Sequence, residues 1–259
     1  MSEALTRHDV VSRLRAFYDE HHIAPGPRFA CIHNDACTRD AGPRPLTHGA
    51  EAHVGTRYGE VLRIAVVSLD TGGGSATIDR RTEIIESLEG QPLNPHMKGT
   101  TSLLRILLEP EIGDSSPYPF FAMINAAKCA ATDGKRDMVP ATLYGRCRGY
   151  AQSELRLLEP HVVVAQGQRA RAVLSPRNGI PHDRVIAAVT ARLPSVPSPF
   201  ASWLANLASE YLREVHLSDH MVLALLTPHP SARTGQWQRF ERLDLLPVAW
   251  LARALVRAA

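Results

Sequence analysis

No stretch of this sequence reaches the roughly 18 consecutive apolar residues needed to cross a bilayer as a helix, which excludes a helical membrane protein. The segment Met1 to Glu20 is charged and amphipathic and lacks the apolar core of a secretory signal. The expectation is therefore a cytoplasmic protein. No internal repeat is apparent, so a solenoid or propeller is excluded. Charge of either sign is not in large excess: the formal net charge is +3. That balance permits a nucleic-acid partner without establishing one, and an ordinary soluble surface explains it equally well. Cysteine is scarce too. The four present form two pairs, Cys31 with Cys37 and Cys129 with Cys147. A cytoplasmic chain rarely spends cysteines on disulfides, so the pairs point to metal binding or catalysis. Four thiolates are what a [4Fe–4S] cluster requires. A zinc site or buried free thiols are the alternatives.

With 44% hydrophobic residues in 259, the chain can bury a substantial core, and it reads as a single domain over 1–259. Residues 6–20 carry Val10, Val11, Leu14 and Phe17 at helical spacing. From Pro25 to about Gly59 the sequence is rich in Gly, Pro and His and has little periodicity. This predicts an irregular loop held by metal rather than by a core, so that residues 1–60 form an N-terminal helix and cluster-binding loop. Beyond Arg63 the pattern turns α/β. Ile64 to Leu69, Phe120 to Asn125, His161 to Gln166 and Met221 to Leu226 are short continuous apolar runs, as buried parallel strands are. Helices are predicted over Thr100 to Leu108, Leu143 to Leu158, 199–214 and 235–257. The predicted fold is a three-layer α/β/α sandwich around a mostly parallel sheet of four strands. Three of those strands end at or just before polar residues: Asp70, Asn125 and His229. Open parallel sheets bind ligands at their carboxyl ends. If the strands are neighbours, the three side chains converge on one crevice.

These residues carry a resemblance to the iron–sulfur uracil-DNA glycosylases, extending from about Cys31 to Phe240. Asn125-Ala126-Ala127-Lys128-Cys129 is similar to the segment joining their base-reading asparagine to a cluster ligand, and Cys147 follows where the next ligand stands. Leu157 to Gly167 resembles their helix–Pro–strand–Gly segment. His229-Pro230-Ser231 resembles the second active-site motif of the superfamily, and Pro95 to Leu104 the loop and helix over the pocket. The resemblance implies DNA as partner, a monomer, and a [4Fe–4S] cluster on Cys31, Cys37, Cys129 and Cys147. That cluster would be structural, because base excision needs no redox centre. The spacing Cys31-x5-Cys37 is wider than the family's first pair. The implied roles follow the chemistry. Cleaving the glycosidic bond builds positive charge on the sugar and negative charge on the base. Asp70 would favour the first and His229 the second. Asn125 would read the base edge with one donor and one acceptor. Ser231 and Lys98 would meet the DNA backbone, and Arg233 would fill the stack behind the extruded base. The plainer alternatives are a turn-capping Asp70, a backbone-satisfying Asn125, a turn histidine and a phosphate-binding Arg233.

Two positions leave the family pattern. Gly72 stands where relatives place a Gly or Tyr after a Pro, and His96 where they place the phenylalanine that stacks on uracil. Both changes suggest a roomier and more polar pocket. The expected substrate is accordingly either uracil or a cytosine enlarged at C5, such as glucosylated hydroxymethylcytosine in phage DNA. A binder of modified DNA without chemistry, and a relative that traps the abasic sugar covalently through a histidine, are the competing readings. An unrelated α/β protein carrying a cluster or zinc is a third.

Overall fold

The structure is a computed structural model. It describes residues 6–24, 29–44, 46–48, 51–69, 93, 95–109, 111–131, 140–175, 177–217, 220–232 and 234–257. Its centre is a mixed sheet of seven strands. The four predicted strands are its middle: β3 (Ile64–Ser68), β4 (Phe121–Asn125), β6 (Val162–Gln166) and β9 (His220–Thr227). They run parallel in the order β4-β3-β6-β9. The expectation of four strands is thus corrected to seven. β2 (His53–Val54) pairs antiparallel with β4 at one edge. At the other edge, β8 (Leu212–Leu217) and β7 (Asn178–Gly179) follow β9, also antiparallel.

The missed strands have physical reasons. The helix predicted over 199–214 is α7 (Ser198–Tyr211). Its apolar stripe runs into Leu212, where the chain changes to a strand, β8, with Val215 and Leu217 buried. The helix predicted over 235–257 is two helices, α8 (Gln236–Leu243) and α9 (Leu245–Val256). Pro247 has no N–H for the carbonyl of Leu243, so the first helix cannot continue. Asp244, at the break, accepts a 2.8 Å hydrogen bond from the Tyr211 hydroxyl.

The region from Pro25 to Gly59 also differs from expectation. It contains α2 (Asn34–Ala41), and β1 (Leu46–His48) pairs antiparallel with β5 (Cys129–Ala131). Cys31, Val54 and Tyr58 are buried in a core shared with the sheet. The region is therefore packed rather than merely tethered. Elements of two, three and eight residues are too short to show a period.

Strand alternation gives the sheet two apolar faces. Ile64, Val66, Phe121, Met123, Val162, Val164 and Leu225 line one. Against it lie α3 (Pro95–Leu108), α6 (His182–Arg192), α7, α8 and α9. The other face carries the smaller Ala65, Ala122, Ala165 and Ala224, covered by α1 (Arg7–Glu20), α4 (Ala141–Leu158) and α5 (Gln168–Val173). The same alternation carried to the strand ends puts Ser68, Asn125, Gln166 and Thr227 on the first face. Among the described residues, no helix is long and apolar enough to cross a membrane.

Candidate active site at the carboxyl ends of the parallel strands

The register makes these four polar residues a row. Ser68 lies opposite Asn125 and Gln166 opposite Thr227. All four are buried, none more than 3% exposed. Buried polar groups are kept only where they find partners. The Ser68 hydroxyl stands 2.9 Å from the Asn125 amide oxygen and donates to it. Gln166 donates from Nε2 to the Thr100 hydroxyl at 2.9 Å, and its Oε1 lies 2.8 Å from Nε2 of His96. Thr100 and His96 sit in the first turns of α3, so this helix begins directly over the row. The Thr227 hydroxyl has no hydrogen-bond partner among the described residues.

His229 follows β9 by two residues and is half-buried. Its Nδ1 accepts from the backbone N–H of Ser231 at 3.3 Å, with the Ser231 hydroxyl 2.9 Å away. A backbone N–H can only donate, so Nδ1 carries the lone pair and the ring proton sits on Nε2. Burial, and then the charge of neighbouring His96, lower the His229 pKa to about 4. At neutral pH it is an uncharged imidazole with a donor at Nε2. The His96 ring lies parallel to it, 4.9 Å between centroids and 3° between planes.

Two glycines make room for this pair. Gly167 adopts φ +87°, and a Cβ there would stand 3.1 Å from the Cβ of His229. This glycine lets the turn after β6 pass beside the imidazole. A Cβ on Gly99 would come within 2.6 Å of the Trp237 ring and 2.8 Å of Pro230. The bare backbone there allows α3 to approach the segment holding His229.

The structure thus brings together His96, His229 and Ser231. Asn125 closes β4 at the same end of the parallel strands, three inter-strand steps from β9, which is about 14 Å between strand axes. Ser231, expected at a phosphate, is exposed and bound to His229. His96, expected to line a more polar base pocket, meets Gln166 through Nε2. Lys98 is exposed one turn into α3. Asp70, Gly72 and Arg233 lie outside the described residues. Sequence reading missed Ser68, Thr100, Gln166 and Thr227. For Ser68, Gln166 and Thr227 the signal was a polar residue at the end of an apolar run; Thr100, inside α3, carried none.

The cysteines come from three elements and one connecting segment: Cys31 ahead of α2, Cys37 within it, Cys129 in β5 and Cys147 in α4. All are buried and unpaired in disulfides. Three sulfurs face N–H groups. His33 N lies 3.4 Å from Cys31, Lys128 N 3.3 Å from Cys147, and the Arg146 guanidinium 3.7 Å from Cys37. Burial first, then the other three thiols, push the Cys129 thiol well up. Burial likewise drives Cys147 up to about 11. Among the described residues, no three His, Cys, Asp or Glu side chains are placed to hold one metal ion. Beside the thiols, Lys128 forms a buried ion pair with Glu154. Glu154 also accepts from the Tyr18 hydroxyl at 2.7 Å.

No known protein family's model matches this chain, and no curated protein matches it.

Proposed function

We propose that this protein is a monofunctional DNA glycosylase of the iron–sulfur uracil-DNA glycosylase type. It extrudes a pyrimidine nucleotide from DNA and hydrolyses the bond between base and sugar, leaving an abasic site. One observation carries the reading. A neutral imidazole with its proton on Nε2, His229, follows the carboxyl end of β9, and a buried amide, Asn125, closes β4 at the same end of the parallel strands. Helices on both faces of the sheet fit the three-layer arrangement that the resemblance implies.

The chemistry assigns each group a task. The bond between the sugar C1′ and the base nitrogen breaks, and its electron pair leaves with the base. Water then forms the new bond to C1′ and gives up a proton. His229 donates from Nε2 to the base oxygen on which negative charge grows. A cationic imidazole is not needed for this, and the fixed donor costs no reorganisation. Asn125 reads the pyrimidine edge, its amide oxygen oriented by Ser68. Asp70, two residues after β3 in the sequence, stabilises the positive sugar and positions the water. Ser231 and Lys98 lie toward the DNA backbone, and Arg233 takes the place vacated in the stack.

Cys31, Cys37, Cys129 and Cys147 would hold a [4Fe–4S] cluster, which ties the N-terminal segment to β5 and α4. The assignment rests on the resemblance, since among the described residues no three of these side chains are placed to hold one metal ion. Buried thiols that resist ionisation become thiolates once iron supplies positive charge. A tetrahedral zinc site would need sulfurs within about 4 Å of one another, at Zn–S distances of about 2.3 Å. Four irons, each taking one thiolate, accept a wider spread.

The test is base release. Duplexes carrying uracil, and duplexes carrying glucosylated hydroxymethylcytosine, are incubated with the protein and scored for abasic sites. Release of either base supports the reading, and which one is released fixes the pocket. Tight binding of modified duplex without release would favour the non-catalytic binder. A protein–DNA adduct that survives a denaturing gel would favour covalent trapping.

A further inference from the structure

The bonds around Gln166 form a chain whose polarity is fixed at one end. The backbone carbonyl of His96 can only accept, and it lies 2.8 Å from the Thr100 hydroxyl. Gln166 Oε1 lies farther from the same hydroxyl, at 3.3 Å, so Thr100 gives its one proton to the nearer carbonyl. Its oxygen is left to accept, and it does so from Gln166 Nε2 at 2.9 Å. The amide of Gln166 is then oriented, with Oε1 toward His96. An amide oxygen only accepts, so the His96 nitrogen 2.8 Å away, Nε2, must carry a proton. The opposite amide orientation would turn the Thr100 proton toward Gln166 and leave the His96 carbonyl without it. A backbone acceptor in the first turns of α3 thus determines the tautomer of an imidazole side chain through two intervening groups.

We propose that Gln166 is a positioning residue for the base-release chemistry: with Thr100 it locks His96 as an Nε2–H imidazole whose flat face holds the ring of His229 in register. This rests on the glycosylase reading of the site. His96 lies against His229 with its plane parallel to within 3°, so rotation of one ring displaces the other. Gln166 is fully buried, and the adjacent Gly167 borders the Cβ of His229. The two histidines are therefore gripped from the tip of one strand. His229 takes its tautomer from Ser231 and its plane from His96, so its Nε2–H points in one direction before any substrate arrives. Preorganisation of this kind acts on the transition state, so its loss shows in kcat rather than in KM.

The experiment uses the full chain in three variants. Gln166→Met keeps the volume and removes both hydrogen-bonding groups. Thr100→Val removes the hydroxyl that orients the amide, and Thr100→Ser restores it. Histidine-selective nitrogen NMR reads the tautomers in the free protein, and single-turnover base release reads the chemistry. In the wild type, both His96 and His229 show the Nε2–H tautomer at pH 7.5. In Gln166→Met and Thr100→Val, His96 becomes a mixture of tautomers. The His229 resonances then shift, and kcat falls about tenfold with KM within twofold, the loss expected for one oriented hydrogen bond. Thr100→Ser returns both readouts to wild-type values. Unchanged His96 and His229 resonances in Gln166→Met overturn the inference by themselves, whatever the activity. Absence of base release in the wild type overturns the glycosylase reading instead, and the NMR comparison still decides the role of Gln166.

Discussion

In the proposed reaction His229 donates to the departing base, and its environment makes two measurable demands. Replacing it with Ala removes a donor aimed at developing charge. Single-turnover base release should fall on the order of 10²- to 10³-fold with little change in substrate affinity. The second demand concerns stability. Burial and His96 hold the His229 pKa near 4, below the ordinary 6.5. The native state therefore resists a proton that the unfolded chain accepts. Above about pH 6.5 both states are neutral and nothing is lost. As pH falls from 6.5 toward 4, the unfolded state gains the proton first and stability declines. Melting temperatures measured between pH 7.5 and 4.5 should decline less steeply in His229→Gln than in the wild type. At this scale the sequence was informative about Asn125 and His229, polar residues that close or follow apolar runs. Ser68, Gln166 and Thr227 obey the same rule but were absorbed into their strands. Only the inter-strand register makes them a row, and register is a property of pairing between distant segments.

Secondary-structure elements meet closely at two places, and each is testable. Gly99 lets α3 settle against Trp237 and Pro230. In Gly99→Ala the methyl group must displace an indole ring or move the helix. Overpacking of this kind costs about 1–3 kcal/mol, and His96 moves with the helix. Both the melting temperature and kcat should drop, whereas alanine at the unobstructed Gly145, inside α4, should leave kcat unchanged and raise the melting temperature slightly. The second place is the ion pair between Lys128 and Glu154, which joins the segment after β4 to α4, with Tyr18 bringing in α1. Lys128→Met strands a buried carboxylate and should cost about 3–5 kcal/mol in chemical denaturation. The double variant Lys128→Met with Glu154→Leu removes both charges and should be less damaged than the single one. The sequence held a hint of this pair, since Glu154 interrupts the buried stripe of Tyr150, Ala151, Leu155 and Leu158 on α4. The parallel strands were legible because burial on both faces makes them continuous apolar runs. A strand such as β8, in which buried and exposed residues mix, blends into the amphipathic pattern of the neighbouring helix.

At the scale of the whole molecule, the proposed cluster would connect the N-terminal segment to β5 and α4 through the four thiols. Protein purified without oxygen should be brown, with a broad absorbance at about 400 nm. Any one of the substitutions Cys31→Ser, Cys37→Ser, Cys129→Ser or Cys147→Ser should bleach it, whereas a colourless protein containing stoichiometric zinc would replace the cluster with a zinc site. The fold class was legible from hydrophobic patterning. The packing of residues 29–59 was not, because their short elements gain order from contacts far along the chain. The parallel pairings have a further outcome for how this protein comes into being. Ile64 aligns with both Phe121 and Val162, and Val162 with Leu223. Each pairing closes a long loop before it returns any energy, so the domain should refold on a scale of milliseconds to seconds rather than microseconds. Asn125, Gln166 and His229 come from three separate tips of that sheet. A partly folded chain therefore lacks this assembled surface, and any ligand seated across the tips should raise the cooperative unfolding temperature of the entire domain rather than stiffen one loop.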